Sequence, residues 1–321
     1  MIALRLAKVL MQTLPARPEP PGEKVSDMQE VFRHERFLAA QPSHRAAYML
    51  ASSRSKYESE LAYPWDAYFG IDLRPQLAGR EALDLGCFTG GRGIAWYERY
   101  GLTRLTGVDV DQTFIDAGNQ FARTRGVAAD FQLARGEALP FEDDAFDAIL
   151  SYDVLEHVRS VARTLAECHR VLKPGGRCYL VFPGYFQPVE HHLSLATRVP
   201  GIQCLFTGKT LVAAYCEILN DRGEDSRWYR RRSAALEPWE RSNTLNGITQ
   251  RGFRRILRES DWRVVLHSRK PIGSIGRNIS RNRIVSYLAN AFRPFTYVPG
   301  LQEFFLHRIT YILEKPSAGT A

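Results

Sequence analysis

Asp84 lies near the end of a short apolar run, Ala82 to Leu85, and the chain turns at once through Gly86-Cys87-Phe88-Thr89-Gly90-Gly91. A carboxylate in that position suits an ammonium group or a water network better than a pyrophosphate, and glycines let a backbone turn approach a ligand closely. The spacing is not that of a pyrophosphate-binding turn. G-x-G-x-x-G would place a glycine where Phe88 stands. About two dozen residues further on, Thr106-Gly107-Val108-Asp109-Val110-Asp111 ends a second apolar run with an acid, and Asp109 is suited to accept both hydrogen bonds of a ribose diol.

The cationic sulfonium and amino-acid group of S-adenosyl-L-methionine would fit at Asp84. Three further segments add to this site. Gly136, Glu137 and Ala138 supply a turn, Ser151 and Asp153 end the run from Phe146, and His157 follows them. Asp153, Glu156 and His157 have i, i+3, i+4 spacing, so on a helix they would share one face able to hold a divalent metal. His191 and His192 follow the next apolar run. Together with His157 they are the candidates for a general base, the alternative for His157 being a packing or capping role and, for the pair, one ring being chemical while its neighbour packs or faces solvent.

These residues need strands that end together. Short apolar runs alternate with amphipathic stretches, which predicts repeated βα units and a parallel sheet. Strands are expected at Ala82–Leu85, Leu105–Asp109, Asp130–Ala134, Phe146–Ser151, Arg177–Phe182, Trp262–Ser268 and Arg308–Glu314. Helices are expected at Gly91–Tyr100, Gln112–Thr124, Ser160–Leu172 and Thr249–Glu259, with Lys173-Pro174-Gly175-Gly176 as a stop. The fold class is α/β, a Rossmann-like doubly wound, mostly parallel sheet with a helical N-terminal lid and insertions after strands five and six. The expected units are an amphipathic segment and Pro-rich linker (1–24), a helical lid (25–80, from Met28–Ala40 and His44–Phe69), a cofactor-binding core (81–183), a cap insertion (184–248) and a C-terminal part of the core (249–321) holding a second insertion (270–307).

Taken in order, the segments from Glu81 to Phe182 resemble the class I S-adenosylmethionine-dependent methyltransferase family, especially its ubiquinone- and menaquinone-biosynthesis branch. The resemblance implies that the turn matching Gly86 to Gly90, with Cys87 and Phe88, holds the methionine part, that Asp109 with Val110 holds the ribose, and that Arg135 to Leu139 border the adenine. Arg135 departs from the family, which often has an aspartate there. The Asp153, Glu156, His157 set resembles the metal-binding acid-acid-histidine pattern of some O-methyltransferases in that branch, with Asp153 in place of a glutamate.

Composition narrows the class further. With 321 residues and 45% hydrophobic content the chain can bury a large core. Its five cysteines form no C-x-x-C pair, which argues against a zinc ribbon or disulfide framework and for a reducing, cytoplasmic compartment. A net charge of +8 favours anionic partners. Arginines at 230–232, 254, 255 and 258, interleaved with Trp228, Tyr229, Trp239 and Phe253, suit phosphate or carboxylate, or form a solvated basic face. The N-terminal segment places Ile2, Leu6, Val9 and Leu10 around a helix opposite Arg5, Lys8 and Gln12. It suits either peripheral membrane contact or docking on its own domain. The expected activity is O-methylation of a small-molecule acceptor, anionic or glycosidic, or of a lipid-linked metabolite. The alternatives are an RNA methyltransferase, although no nucleic-acid module is recognisable, and a catalytically silent S-adenosylmethionine-binding subunit.

Overall fold

The structure, a computed structural model, describes residues 2–15, 42–193, 196–221, 246–275 and 289–317. One seven-stranded sheet organises them: β1 (Glu81–Leu85), β2 (Arg104–Asp109), β3 (Ala129–Leu133), β4 (Phe146–Tyr152), β5 (Leu172–Phe182), β6 (Arg263–Ser268) and β7 (Ile309–Glu314), in the order 3-2-1-4-5-7-6. The first five strands are parallel, and β7 runs antiparallel between β5 and β6. After β3 the chain crosses back to place β4 on the other side of β1. That reversal opens a crevice beyond the carboxyl ends of β1 and β4, where ligands of doubly wound sheets bind.

The helices are α1 (Ile2–Thr13), α2 (Pro42–Ala62), α3 (Asp66–Phe69), α4 (Arg74–Leu77), α5 (Gly91–Tyr100), α6 (Gln112–Arg125), α7 (Val161–Val171), α8 (Gly208–Asp221), α9 (Gln250–Arg258) and α10 (Gln302–Phe305). Three of them begin on a side-chain cap: Asp111 accepts from the amide of Thr113, Ser160 from Arg163 and Thr249 from Gly252. Alternation along the strands divides the core in two. Leu83, Leu85, Ile149, Leu180 and Phe182 face Leu165, Phe253 and Leu257 on one side. Ala82, Ala148, Leu150, Tyr179 and Val181 face Trp65, Trp96 and Tyr100 on the other. Each large side chain so buried contributes about 1.5–3 kcal/mol relative to exposure.

The expected strands all form, with one or both ends shifted by a residue in β1, β2, β3, β4, β6 and β7 and with β5 extended back through the Lys173–Gly176 stop. The helix expected over His44–Phe69 is two elements, α2 and α3. Residues 184–248, expected as a cap insertion, contain α8. Its Leu211, Ala214, Tyr215, Ile218 and Leu219 pack with Ala7 and Met11 of α1 into a third apolar cluster. The N-terminal helix therefore docks on its own chain, and Lys8 pairs with Glu217 and Asp221, while Ile2, Leu6 and Val9 stay exposed. Among the described residues no helix is long and apolar enough to cross a membrane. The segments Met28–Ala40 and Trp228–Trp239 lie outside the described residues.

Candidate active site

The turn after β1 bends sharply, with Gly86 at φ 73°, Phe88 at φ 50° and Gly90 at φ 72°. Phe88 holds a left-handed conformation unusual for a residue with a Cβ, and its ring packs on Phe114 at 4.5 Å. Two close approaches require glycine. A Cβ on Gly86 would stand 2.3 Å from Val154, so the segment after β4 closes against the turn. A Cβ on Gly91 would stand 1.8 Å from the carbonyl oxygen of Ser53, so α2 lies directly on the turn. The Thr89 hydroxyl, at the centre of the turn, is buried with no hydrogen-bond partner.

Asp109 joins this turn to β2. One carboxylate oxygen accepts from the amide of Phe88 at 2.9 Å, and the other from Val110 at 2.7 Å and Asp111 at 3.3 Å. A carboxylate offers about four lone-pair sites, so acceptor capacity remains. Burial pushes the Asp109 carboxyl up to about 6, against those hydrogen bonds. Val110 beside it is 48% exposed, an apolar surface at the strand end. The Asp84 carboxyl is buried, and burial pushes it up to about 7 despite the opposing charge of Arg92. Cys87 is buried too, and its thiol is pushed well up by burial and then by the charges of Asp109 and Asp84, which leaves it unreactive.

The remaining residues expected to border the cofactor have structural ties. Glu137 accepts from the amides of Arg159 at 2.5 Å and Ser160 at 3.2 Å, so its carboxylate holds the entry to α7. The amide of Ala138 donates to the Arg135 carbonyl at 3.1 Å, and Gly136 between them sits against Thr164 and Leu85. Ser151 is buried at the end of β4 between Leu85 and Leu180.

Across the crevice, Asp153 takes a left-handed conformation (φ 55°) and the chain from 153 to 160 runs through turns. The expected helical face of Asp153, Glu156 and His157 therefore does not form. Asp153 instead receives Arg308 Nε at 3.0 Å, and the same guanidinium reaches Glu190 at 2.9 Å. The place expected for Asp153 beside Glu156 and His157 is taken by His192, and ligand atoms of these three lie within 4.8 Å of one another. The rings of His157 and His192 are 4.9 Å apart, edge to face. Neither carboxylate oxygen of Glu156 has a hydrogen-bond partner, and burial followed by the charge of Asp153 pushes that carboxyl well above its usual range. Burial, then His157, holds His192 well below the usual imidazole range, which keeps it neutral at pH 7. His191 turns away, and its Nδ1 accepts from the amide of Leu193 at 3.1 Å.

Several polar residues here were not singled out from sequence. The Arg92 guanidinium lies 3.9 Å from the centre of the Tyr152 ring, and the Tyr152 hydroxyl shares a 2.8 Å hydrogen bond with Tyr68. Asn246 clamps the 153–160 turn, its side chain donating to the carbonyls of Leu155 and Val158, each at 2.7 Å. Arg92 carried a signal, since it stands in the first turn after the glycines. Arg308, Tyr68 and Asn246 carried none. Arg254 and Arg258 line a separate cavity of about 360 Å³ between α9 and the sheet edge, together with His267 and Tyr311.

Residues 83–180 match the methyltransferase domain family. The ubiquinone biosynthesis O-methyltransferase of Pseudomonas aeruginosa is 33% identical over 111 residues, 34% of this chain and 47% of that protein. The ubiquinone/menaquinone biosynthesis C-methyltransferase of Desulfotalea psychrophila is 34% identical over 98 residues, 30% of this chain and 39% of that protein. The chain thus spans less than half the length of these curated relatives. An S-adenosylmethionine-dependent methyltransferase structure from Mesorhizobium loti is 18% identical, with a TM-score of 0.48 over 78% of this chain and 96% of that one.

Proposed function

We propose that this protein, whose residues 83–180 form a class I S-adenosylmethionine-dependent methyltransferase domain, methylates a hydroxyl of a small, hydrophobic or lipid-linked acceptor. The observation that carries this reading is the grouping of Glu156, His157 and His192 beyond β4, across the crevice from a turn closed by Asp109. The cofactor side fits its ligand chemically. Asp84 offers a carboxylate to a cationic group, the unpartnered Thr89 hydroxyl sits in the turn, and Asp109 keeps acceptor capacity for a ribose beside the exposed Val110.

S-adenosylmethionine supplies, when bound, a methyl group already activated on a positively charged sulfur. The protein's own work is to align the acceptor and take its proton. Alignment can supply about 7–11 kcal/mol of barrier reduction in favourable cases. With the methyl group supplied by the bound cofactor, an imidazole nitrogen of His157 or His192 would take up the acceptor's hydroxyl proton. The His192 ring stands edge to face with that of His157, 4.9 Å between centres. Glu156 lies beside them, one carboxyl oxygen 3.7 Å from His157 Nε2.

A second reading keeps the same residues and places a divalent cation among Glu156, His157 and His192. One carboxylate and two imidazoles suit such an ion, and the two unpartnered oxygens of Glu156 favour it.

Incubation with methyl-labelled S-adenosylmethionine and fractionated cell extract tests the activity. The expected result is label in an extractable small molecule, lost about 10²- to 10⁴-fold in His157→Ala and His192→Ala with cofactor affinity retained. Loss on chelation, restored by a divalent ion, selects the second reading. Label in RNA would overturn the acceptor class. Cofactor binding without labelled product would overturn the enzyme.

A further inference from the structure

The segment 290–301 presents an apolar surface to solvent at the carboxyl end of the sheet. Phe292 is 42% exposed, Phe295 42%, Tyr297 55%, Val298 40% and Leu301 42%, within a stretch whose buried residue is Thr296. Exposed large apolar residues are ordinary singly, but a contiguous aromatic group marks an interaction surface. The group is built rigidly. Phe292 and Phe295 stack on Phe305 of α10, at 5.5 and 4.9 Å. Arg269 donates to the Thr296 carbonyl at 2.9 Å, and its guanidinium lies 4.8 Å from the centre of the Tyr297 ring. Two residues beyond Phe305, the His307 ring is 5.7 Å from Tyr68, and Arg308 holds Asp153. The ridge therefore stands beside the acceptor end of the crevice.

Charge selects the occupant. Beside the ridge the described chain carries Arg269, Lys270 and Arg293, and no aspartate or glutamate stands among the described residues from 269 to 302. A second copy seated on the same face would set this basic stretch against its own like. An anionic bilayer accepts both components: aromatic and aliphatic side chains enter the headgroup boundary while basic residues meet lipid phosphates.

We infer that the 290–301 ridge is a membrane-docking surface that seats the protein on anionic lipid. Docking there turns the acceptor end of the crevice toward the bilayer. That consequence for the acceptor, though not the docking itself, rests on the proposed methyltransferase activity.

Flotation of the full chain with vesicles tests the docking without any turnover. One set is phosphatidylcholine alone and the other contains phosphatidylglycerol. The expected result is binding to the anionic vesicles that weakens as salt rises. The variant carrying Tyr297→Ser, Val298→Ser and Leu301→Ser should bind at least about tenfold more weakly at an unchanged thermal midpoint. Arg293→Glu, at an exposed position, should also weaken anionic binding and leave the fold intact. Failure of the wild type to float with anionic vesicles at low salt would overturn the inference, as would equal binding by both variants. Self-association that depends on the ridge, without vesicle binding, would assign the surface to a second copy. Retained flotation with no methyl transfer would count against the activity and leave the docking standing.

Discussion

Asp109 accepts three backbone amides while keeping acceptor capacity, so it closes the turn onto β2 and, in the proposed function, offers a face to a ribose. Asp109→Ala should weaken binding of S-adenosylhomocysteine by about 1–3 kcal/mol, read by calorimetry. Asp109→Asn, which retains one acceptor oxygen, should recover part of that loss, whereas unchanged affinity in a folded alanine variant would remove Asp109 from the site. The two acids also set a pH dependence. Asp84 and Asp109 are raised to about 7 and about 6, so both carry protons in acid and become charged as pH rises. Affinity for the cationic cofactor should therefore increase from about pH 5.5 to pH 8, through the window those raised values define. Flat affinity across it would show that the carboxylates do not meet the positive charge. At this scale sequence disclosed the acids, because a carboxylate at a strand end has a chemical purpose visible without coordinates. It did not show that one carboxylate oxygen of Glu137 also accepts from the amides of Arg159 and Ser160.

Between elements, the contact of α2 with the glycine turn matters most. Gly91 faces the Ser53 carbonyl so closely that a methyl group has no room, and the obstacle is backbone. Gly91→Ala should cost about 1–3 kcal/mol as overpacking and push α2 away from the turn. Thermal denaturation measures the cost, and faster amide exchange over Ser52–Leu61 would report the displacement; an unshifted midpoint would mean the helix does not rest there. The strands were legible because short apolar runs bounded by glycine and aspartate have few other solutions. The 153–160 segment was not. Its spacing suits a helix, but Asp153 turns left-handed to meet Arg308, a partner 155 residues away. Helix α8 was passed over although Leu211, Tyr215 and Ile218 recur at helical spacing, because no strand followed to frame it.

Over the whole molecule, the sheet order brings four separate stretches to one crevice: the turn after β1, the end of β2, the turns after β4, and the segment after β5 that carries Glu190 and His192. The fold class could be read from sequence because it rests on local motifs, and the residues proposed for the cofactor side lie within those same motifs. The acceptor side depends on which residues of distant segments meet, and sequence offered candidates without choosing among them. His192 rather than His191 reaches His157 because the chain turns at His192 itself, at φ 54°. The most direct test of the account is a crystal structure with S-adenosylhomocysteine. The homocysteine part is expected in the Gly86–Gly90 turn near Thr89, with the ribose hydroxyls within hydrogen-bonding distance of Asp109 and the sulfur facing His157 and His192. Nucleoside bound elsewhere, as in the cavity lined by Arg254 and Arg258, or sulfur directed away from those histidines, would contradict it.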